Sequence, residues 1–439
     1  MNQPLVHVLV INWNGRDHLE ECFGSLLASA YSNVRFILVD NGSTDDSVAL
    51  VRSKFGGDRR VEILELGENL GWSRGNNVGI RRAIAQEARY IFLLNNDTNT
   101  AADAIEDLVA MAESDSRLGA LAPKMLMYDN PDLLNSVGLE CSIIASSWDL
   151  GIGRLDGPRW SESVPVIGVC GGAAFFRVAA LKEAGVLPED FEIYLDDLDL
   201  CLRIWNAGYE IRSCPGARVR HKFSATMGQG KYHRRKYYLN TRNRFYVMLR
   251  NFPAGKALPV AAACLVGEMR AVGRALLDGE AWRALAHVRA WGGAAAYVPW
   301  AIRERTRRPR TGRGACRFWP LISAGRMFFH GTELPVDGWY TAREIRGETF
   351  RPMSAKASVD VEAGRLRVTL VNCYPALGQV CIEVLSNGHH VASLETLDRQ
   401  EYLVEVPAGR LTFAAKRIFE AEKTGANVDL GGWVRIDRT

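Results

Sequence analysis

Leu5-Val-His-Val-Leu-Val-Ile-Asn-Trp-Asn-Gly15 opens the chain with an apolar run that turns abruptly polar at Asn12. Leu5–Ile11 reads as a buried strand, and its polar end as the lip of a sheet. Phe36–Val39, Val61–Leu66 and Tyr90–Leu94 repeat the pattern, and between them His18–Ala30, Asp45–Lys54 and Asn76–Ala88 carry helical patterns. Strands alternating with helices predict an α/β fold whose parallel or mostly parallel sheet is covered by helices. Ligands in such sheets bind beyond the carboxyl ends of the strands. Asn12–Asn14, Asp40–Asp46 and Asn95–Thr98 are polar clusters at those ends, so a site is expected there.

At 439 residues the chain calls for two or three domains. Hydrophobic content of 47% against 24% charged residues argues for a folded globular protein and against disorder. The nine cysteines form no C-x-x-C pair, which disfavours zinc and a disulfide framework and suits a reducing, cytoplasmic compartment. Leu5–Ile11 lacks the basic lead of a signal peptide. Ala257–Gly267 is uncharged but too short for the roughly 20 residues of a spanning helix. Net charge is only +4, yet the basic residues gather in two runs, Lys231–Arg250 and Arg303–Arg317.

Three regions are expected: 1–255 as the α/β domain, 256–332 as a helical and Arg-rich linker, and 333–439 as a small β-sandwich. In the middle region Leu258, Leu265, Met269, Val272 and Leu276 form an apolar stripe, with Glu268, Arg270 and Arg274 on other faces, and a second stretch carries Trp282, Trp291, Tyr297 and Trp300. In the last, Leu366–Val371, Val380–Leu385, Tyr402–Val406, Leu411–Ala414 and Trp433–Ile436 alternate as antiparallel strands, with a turn at Ser386-Asn387-Gly388.

Five constellations carry chemistry. Phe191–Tyr209 holds Asp196, Asp197 and Asp199 at the start of a helical pattern in which Leu198, Cys201, Leu202 and Trp205 share a face and Gly208 stops it. A carboxylate there is favoured by the helix dipole while like-charged neighbours raise its pKa, the setting of a general base and equally of an N-cap. Asp40-Asn41-Gly42-Ser43-Thr44-Asp45 reads as a turn and cap, or as an acid that hydrogen bonds a nucleotide's base or ribose. Glu68–Gly79 is Gly-rich but no P-loop, and its Asn76-Asn77 pair either holds a ligand or caps a helix. In Asn95-Asn96-Asp97-Thr98, Asp97 can offer one oxygen to Mg²⁺ or Mn²⁺, which take phosphate oxygens for much of their shell. His221 either is structural or completes that shell.

Their order resembles the inverting family-two glycosyltransferases, in particular the bacterial rhamnosyltransferase-like branch. The carrying residues are Val10, Asn12 and Asn14, then Asp40–Asp45, then Asn69-x-Gly71 with Gly75-Asn76-Asn77. They continue through Asn95-Asn96-Asp97, Gly171-Gly172-Ala173 with Phe175-Phe176-Arg177, Asp196-Asp197-x-Asp199-Leu200, and His221, and they cover roughly residues 5–250. The resemblance implies a GT-A fold, a nucleotide-diphosphate sugar donor and a glycan or lipid-linked glycan acceptor. Asp40 would read base and ribose, with Asn12, Asn14, Asn41, Asn69, Asn76, Asn77, Asn95 and Asn96 about the donor. Asp97 and His221 would hold Mg²⁺ or Mn²⁺, Asp197 would be the general base beside Asp196, and Gly171, Gly172 and Asp196 would meet the acceptor. Asn95 stands where the family's D-x-D motif has its first acid, which removes one charge from the metal site.

The branch favours a deoxythymidine-diphosphate rhamnose donor, with a uridine-diphosphate hexose or galactofuranose as the alternative. The basic runs and the Trp-bearing stretch suggest peripheral contact with an anionic membrane, at the cytoplasmic face of the inner membrane. The same tryptophans serve equally as core of a helical linker. No nucleic-acid module is recognisable. Two other classes share parts of the pattern. A sugar-nucleotidyltransferase needs a triphosphate loop after the first strand, of which Asn12–Arg16 is a poor version. A non-catalytic glycan-binding protein has no use for intact Asp97, Asp197 and His221.

Overall fold

The computed structural model describes residues 3–128, 131–152, 154, 156–222, 231–307, 317–322, 343–345, 348–353, 356–373, 378–416 and 432–438. Two units emerge, the first from Met1–Tyr128, Asn135–Leu150 and Gly157–Phe329, the second from Asp129–Leu134, Gly151–Asp156 and His330–Thr439.

The first unit begins with β1 (Val6–Asn12), α1 (Arg16–Leu27), β2 (Val34–Asp40), α2 (Ser47–Phe55), β3 (Val61–Glu65), α3 (Trp72–Ala85) and β4 (Tyr90–Asn95). It continues with β5 (Thr98–Thr100), α4 (Ala104–Ser114), β6 (Leu118–Met127), β7 (Leu134–Ser136), β8 (Leu139–Cys141) and β9 (Ser147–Asp149). β10 (Ala173–Arg177), α5 (Val178–Ala184), α6 (Asp196–Asn206), β11 (Glu210–His221) and helices α7 (Lys231–Asn251), α8 (Ala257–Leu277) and α9 (Ala281–Arg307) complete it. The strands line up as β3-β2-β1-β4-β10-β6-β11-β5, with β7 also on β6.

β3, β2, β1 and β4 run parallel, as the alternation predicts. The other half of the sheet is mixed, because β10 runs against β4 and β6, and β5 against β11. β5 follows β4 after only Asn96 and Asp97, yet it pairs with β11 at the far end of the strand order and not with β4. Every residue of β1 is buried. Side-chain alternation sends Leu9, Ile11, Ile37 and Val39 into one apolar layer and Val8, Val10, Phe36 and Leu38 into the other. The sheet is thereby covered on both faces, and its functional groups can emerge only at strand ends.

α7 and α9 pack through Tyr246 and Tyr297, stacked at 3.7 Å, and through Arg250 over the Trp300 ring. The apolar stripe expected on α8 does not face inward as a whole: Met269 and Leu276 are exposed, while Glu268 is buried. Glu268 tolerates burial because Arg244, the Nδ1 of His287 at 2.5 Å and the indole N–H of Trp291 at 2.9 Å all bind its carboxylate. Beyond the Arg-rich segment, Phe318 is fully buried against Phe252. Arg308, Arg310 and Arg313 lie outside the described residues.

The second unit holds β12 (Arg343–Ile345), β13 (Glu348–Met353), β14 (Lys356–Val361), β15 (Gly364–Val371), β16 (Val380–Ser386), β17 (His389–Thr396), β18 (Arg399–Val406), β19 (Gly409–Ala415) and β20 (Gly432–Arg438). They form two sheets, β12-β13-β20-β15-β18 and β14-β19-β16-β17, antiparallel throughout. Both sheets feed one core, with Val368, Leu370, Ile382, Val384, Phe413 and Val434 among its members, so this is a sandwich. Asn387 and Gly388 both take positive φ (49° and 85°), which is what the turn between β16 and β17 requires. Gly338-Trp339-Tyr340 and Asp429-Leu430-Gly431 lie outside the described residues.

Candidate active site

The in-register pairing of β1 with β2 sets Asn12 beside Asp40. The Asn12 amide donates to Asp40 Oδ1 (3.2 Å) and Ser43 Oγ (3.0 Å), and its oxygen accepts from Asn96 (2.6 Å). Asp40 Oδ2 accepts the Ser43 N–H at 3.0 Å, while Asn14, held at φ 51°, accepts the Thr44 N–H at 2.8 Å. Asn41 donates to Asn69 Oδ1 (3.1 Å) and the Gly71 carbonyl (3.2 Å) and accepts from Leu70 N–H (2.9 Å). These residues order the loops at the sheet's edge into one polar rim. Asn76 and Asn77 sit inside α3, fully buried. Asn77 bonds both main-chain groups of Leu187 and the Glu189 carboxylate, so it braces α3 against the segment that follows α5.

Pairing of β5 with β11 places Thr98 opposite His221 and carries Asp97 along. Asp97 Oδ1 lies 3.2 Å from His221 Nε2, both residues buried, without hydrogen-bond alignment. Asn135 Oδ1 is 2.7 Å from His221 Nδ1, an arrangement that puts the ring proton on Nδ1 and turns the Nε2 lone pair toward Asp97. Burial pushes the Asp97 carboxyl up, but when the His221 ring is protonated its hydrogen bond and charge, with smaller help from the Asp97 backbone and His18, leave it below the ordinary carboxylate value. An oxygen and a nitrogen about 3 Å apart match two neighbouring ligands of an octahedral cation at about 2.1 Å. Among the described residues no group of three His, Cys, Asp or Glu converges on one point. The pair therefore fits a cation that takes the remainder of its shell from phosphate and water.

Asp196 and Asp197 open α6. The approach is strained: Glu192, Tyr194 and Leu195 all have positive φ (67°, 70° and 62°), each costing about 1–3 kcal/mol in a residue with a side chain. Asp196 Oδ2 accepts the Ser73 hydroxyl at 2.5 Å, and Asp197 Oδ2 accepts the Gly171 N–H at 3.1 Å. Burial and then the Asp196 charge push Asp197 up to about 7, while burial lifts Asp196 to about 6 against the opposing Ser73 bond. The sequence assigns part of the shift on Asp197 to Asp199, and the structure revises this. Asp199 is fully buried between Arg203 Nε (2.8 Å), Arg250 Nε (3.3 Å) and Asn251 (2.7 Å); it anchors α6, and its like charge adds to the rise on Asp196. Asp149, at the end of β9, adds a like charge to Asp197 instead.

Gly171 and Gly172 join the two halves of the site. A Cβ on Gly171 would stand 2.8 Å from the Trp72 ring and 3.6 Å from Asp197 Oδ2; one on Gly172 would stand 3.5 Å from both Asn95 Nδ2 and His221 Cε1. Asp197 and the Asp97–His221 pair thus flank a two-residue strip that is crowded at Gly171 by the Trp72 ring and at Gly172 only by the flexible end of Met125, at 3.1 Å. Trp72, Ser73, Asn135 and Asp149 were not identified from sequence. Ser73 and Asp196 lie 123 positions apart, and no local spacing links them.

Comparison with known proteins agrees with this picture. Residues 7–184 match the model of the family described as Glycosyl transferase family 2. An uncharacterized glycosyltransferase of Haemophilus influenzae is 31% identical over 106 residues, 24% of this chain and 41% of that protein, so the match spans less than half of it. The N-acetylglucosaminyl-diphospho-decaprenol L-rhamnosyltransferase of Mycobacterium tuberculosis is 25% identical over 249 residues, 51% of this chain and 77% of that protein. A solved S. aureus TarS 1-349 in complex with UDP-GlcNAc aligns over 80% of this chain and 97% of its own at 15% identity and a TM-score of 0.45, too loose a likeness to carry an argument. Residues 7–184, which build most of the helix-covered sheet with its polar edge, are thus similar to glycosyl transferase family 2.

Proposed function

We propose that the chain is an inverting glycosyltransferase that moves a sugar from a nucleoside-diphosphate donor to a hydroxyl of a glycan acceptor. The observation that carries this is the strip Gly171–Gly172, with Asp197 on one side and Asp97–His221 on the other. Asp197 accepts the proton of the attacking hydroxyl, and its raised pKa keeps it a useful base near neutral pH. Attack from the face opposite the departing diphosphate inverts the anomeric carbon. Asp97 and His221 would hold Mg²⁺ or Mn²⁺, which supplies charge neutralisation for the diphosphate. Asp40, Asn12 and Asn14 bound the donor side, and the glycines admit the acceptor. A deoxythymidine-diphosphate rhamnose donor is supported by the mycobacterial relative's name, at 25% identity; a uridine-diphosphate hexose or galactofuranose is the alternative.

An anionic membrane surface is the partner proposed for α8 and α9. Val266, Met269, Leu276 and Leu277 are exposed along α8, and Leu285, Val288, Trp291 and Ile302 along α9. Arg270, Arg274, Arg289 and Arg303 are exposed among them, a combination that suits lipid headgroups above an apolar layer. Arg242, Arg244 and Arg250 of the other basic run contribute little here, since they hold internal ion pairs with Glu192, Glu268 and Asp199. Among the described residues no helix is long and apolar enough to cross a membrane.

The test is thermal stabilisation of the full chain by dTDP, UDP and their sugar conjugates, with and without Mn²⁺. At ligand concentrations about 100-fold above Kd the gain is about 2.7 kcal/mol. A Mn²⁺-dependent shift with one base supports the donor site and names the base. No shift with any nucleotide, together with stabilisation by glycans alone, would move the assignment to a glycan-binding protein.

A further inference from the structure

Asn243, in the middle of α7, is fully buried. Its Nδ2 lies 3.0, 3.0 and 2.9 Å from the carbonyl oxygens of Phe191, Ile193 and Tyr194, and its Oδ1 accepts from Arg242 Nε at 3.0 Å. Arg242 adds bonds to the carbonyls of Asp190 (3.1 Å) and Phe191 (3.2 Å) and to the Glu192 carboxylate (3.3 Å). These acceptors belong to the segment with three positive-φ residues, which delivers the chain into Asp196 and Asp197. The Phe191 carbonyl also accepts the Ile193 N–H inside the segment at 2.8 Å, while those of Ile193 and Tyr194 are met from α7 by Asn243. α7 also holds the far side of the acidic pair, through Arg250 and Asn251 on Asp199.

We propose that Asn243 is a positioning residue for the general base: its amide, seconded by Arg242, holds residues 190–195 in the left-handed turn that aims Asp197 at the Gly171–Gly172 strip. Asn243 touches neither donor nor acceptor, and it acts only through the backbone that carries Asp197. The inference rests on the reading of Asp197 as base. Other contributors to the turn are Tyr246 against Phe191 and Arg250 over the same ring, and both remain in a variant at 243. Strain of this kind is sustained only where surrounding contacts over-determine it, and here one side-chain amide reaches three carbonyls of a four-residue stretch.

Two variants and two readouts test this. Asn243→Asp keeps the shape of the side chain but sets an acceptor against three carbonyls; Asn243→Ala removes the donor. In the full chain, both are expected to lower kcat about 10–100-fold, the scale of a displacement near 1 Å at a reacting group. The donor KM and the Mn²⁺-dependent thermal shift with the matching nucleoside diphosphate should stay within about twofold of wild type by the same reasoning. Hydrogen exchange of the peptide covering 190–197 should be as slow as that of α6 in the wild type and at least roughly tenfold faster in the variants, with the β1 and β4 peptides unchanged. Fast exchange of 190–197 in the wild type would overturn the proposal, as would a kcat and a nucleotide shift that fall together. Should the wild type transfer no sugar from any donor tried, the glycosyltransferase reading is what fails, and the exchange comparison alone decides whether Asn243 holds the turn.

Discussion

Replacing Asp197 by Asn should inactivate the protein and stabilise it at the same time. The carboxyl is raised from 3.8 to about 7 by burial and by Asp196. At about 1.4 kcal/mol per pH unit, that rise sets a ceiling of about 4 kcal/mol on the cost of ionising it in the folded state. Asp197 keeps some solvent contact and shares its proton with Asp196, so about 1–2 kcal/mol is the working figure. The sign follows from linkage. Between pH 3.8 and about 7 the native state holds a proton that the unfolded chain has lost, so this group withdraws stability as pH rises through that window. The amide of the Asp197→Asn variant never ionises, and the variant should therefore melt a few degrees above wild type at pH 8, with the gap closing as pH falls toward 4. Turnover should drop about 10²–10⁴-fold, with nucleotide binding retained. Urea or thermal melts at pH 8, 6 and 5 beside a transfer assay decide it. An Asn variant no more stable than wild type at pH 8, or one that keeps its turnover, refutes the assignment.

The pH profile of wild-type kcat/KM should rise about tenfold per unit up to a bend near 7 and then level off, because the base acts deprotonated; a flat profile between pH 5 and 8 contradicts it. Gly171→Ala drives a Cβ to 2.8 Å from the rigid Trp72 ring and displaces the N–H that holds Asp197. A loss of about 1–3 kcal/mol in stability is expected, with a clear fall in kcat, whereas Gly24→Ala inside α1 meets nothing within 4 Å and should gain about 0.5–1 kcal/mol while leaving kcat unchanged. His221→Ala or Asp97→Ala should abolish the Mn²⁺-dependent part of the thermal shift while a metal-free protein keeps its fold, and an undiminished Mn²⁺ response in either variant removes the pair from the metal site. Met269→Glu with Leu277→Glu should release the protein from vesicles containing anionic lipid, read by co-sedimentation; binding that survives both charges points to another surface.

Much of the first unit was legible in the chain. Leu5–Ile11, Phe36–Val39, Val61–Leu66 and Tyr90–Leu94 announce themselves because strands buried on both faces must be apolar at every position, and β1 to β4 lie where those runs lie. The helix that begins at Asp196 shows in the spacing of Leu198, Cys201, Leu202 and Trp205, all buried, with Gly208 taking φ 98° just past its end. In the sandwich, β15, β16, β18, β19 and β20 were readable. β12, β13, β14 and β17 were not; of these, β14 and β17 are sheet edges where few side chains are buried and alternation fades.

Local spacing determined which residue types stand at strand ends and helix starts, since those depend on neighbours a few positions away. Tertiary pairing alone decided what each of them does. Asp199 looked like part of an acidic trio until Arg203, Arg250 and Asn251 closed around it. Asn77 looked like a ligand and proved a brace on Leu187. Asp97 met His221 only because β5 runs back along β11, while Asp149 and Ser73 reached the acidic pair, and Asn243 the turn before it, from elements far off in the chain. A carboxylate's role is set by the charges and dipoles within a few ångströms of it, and those are supplied by the fold.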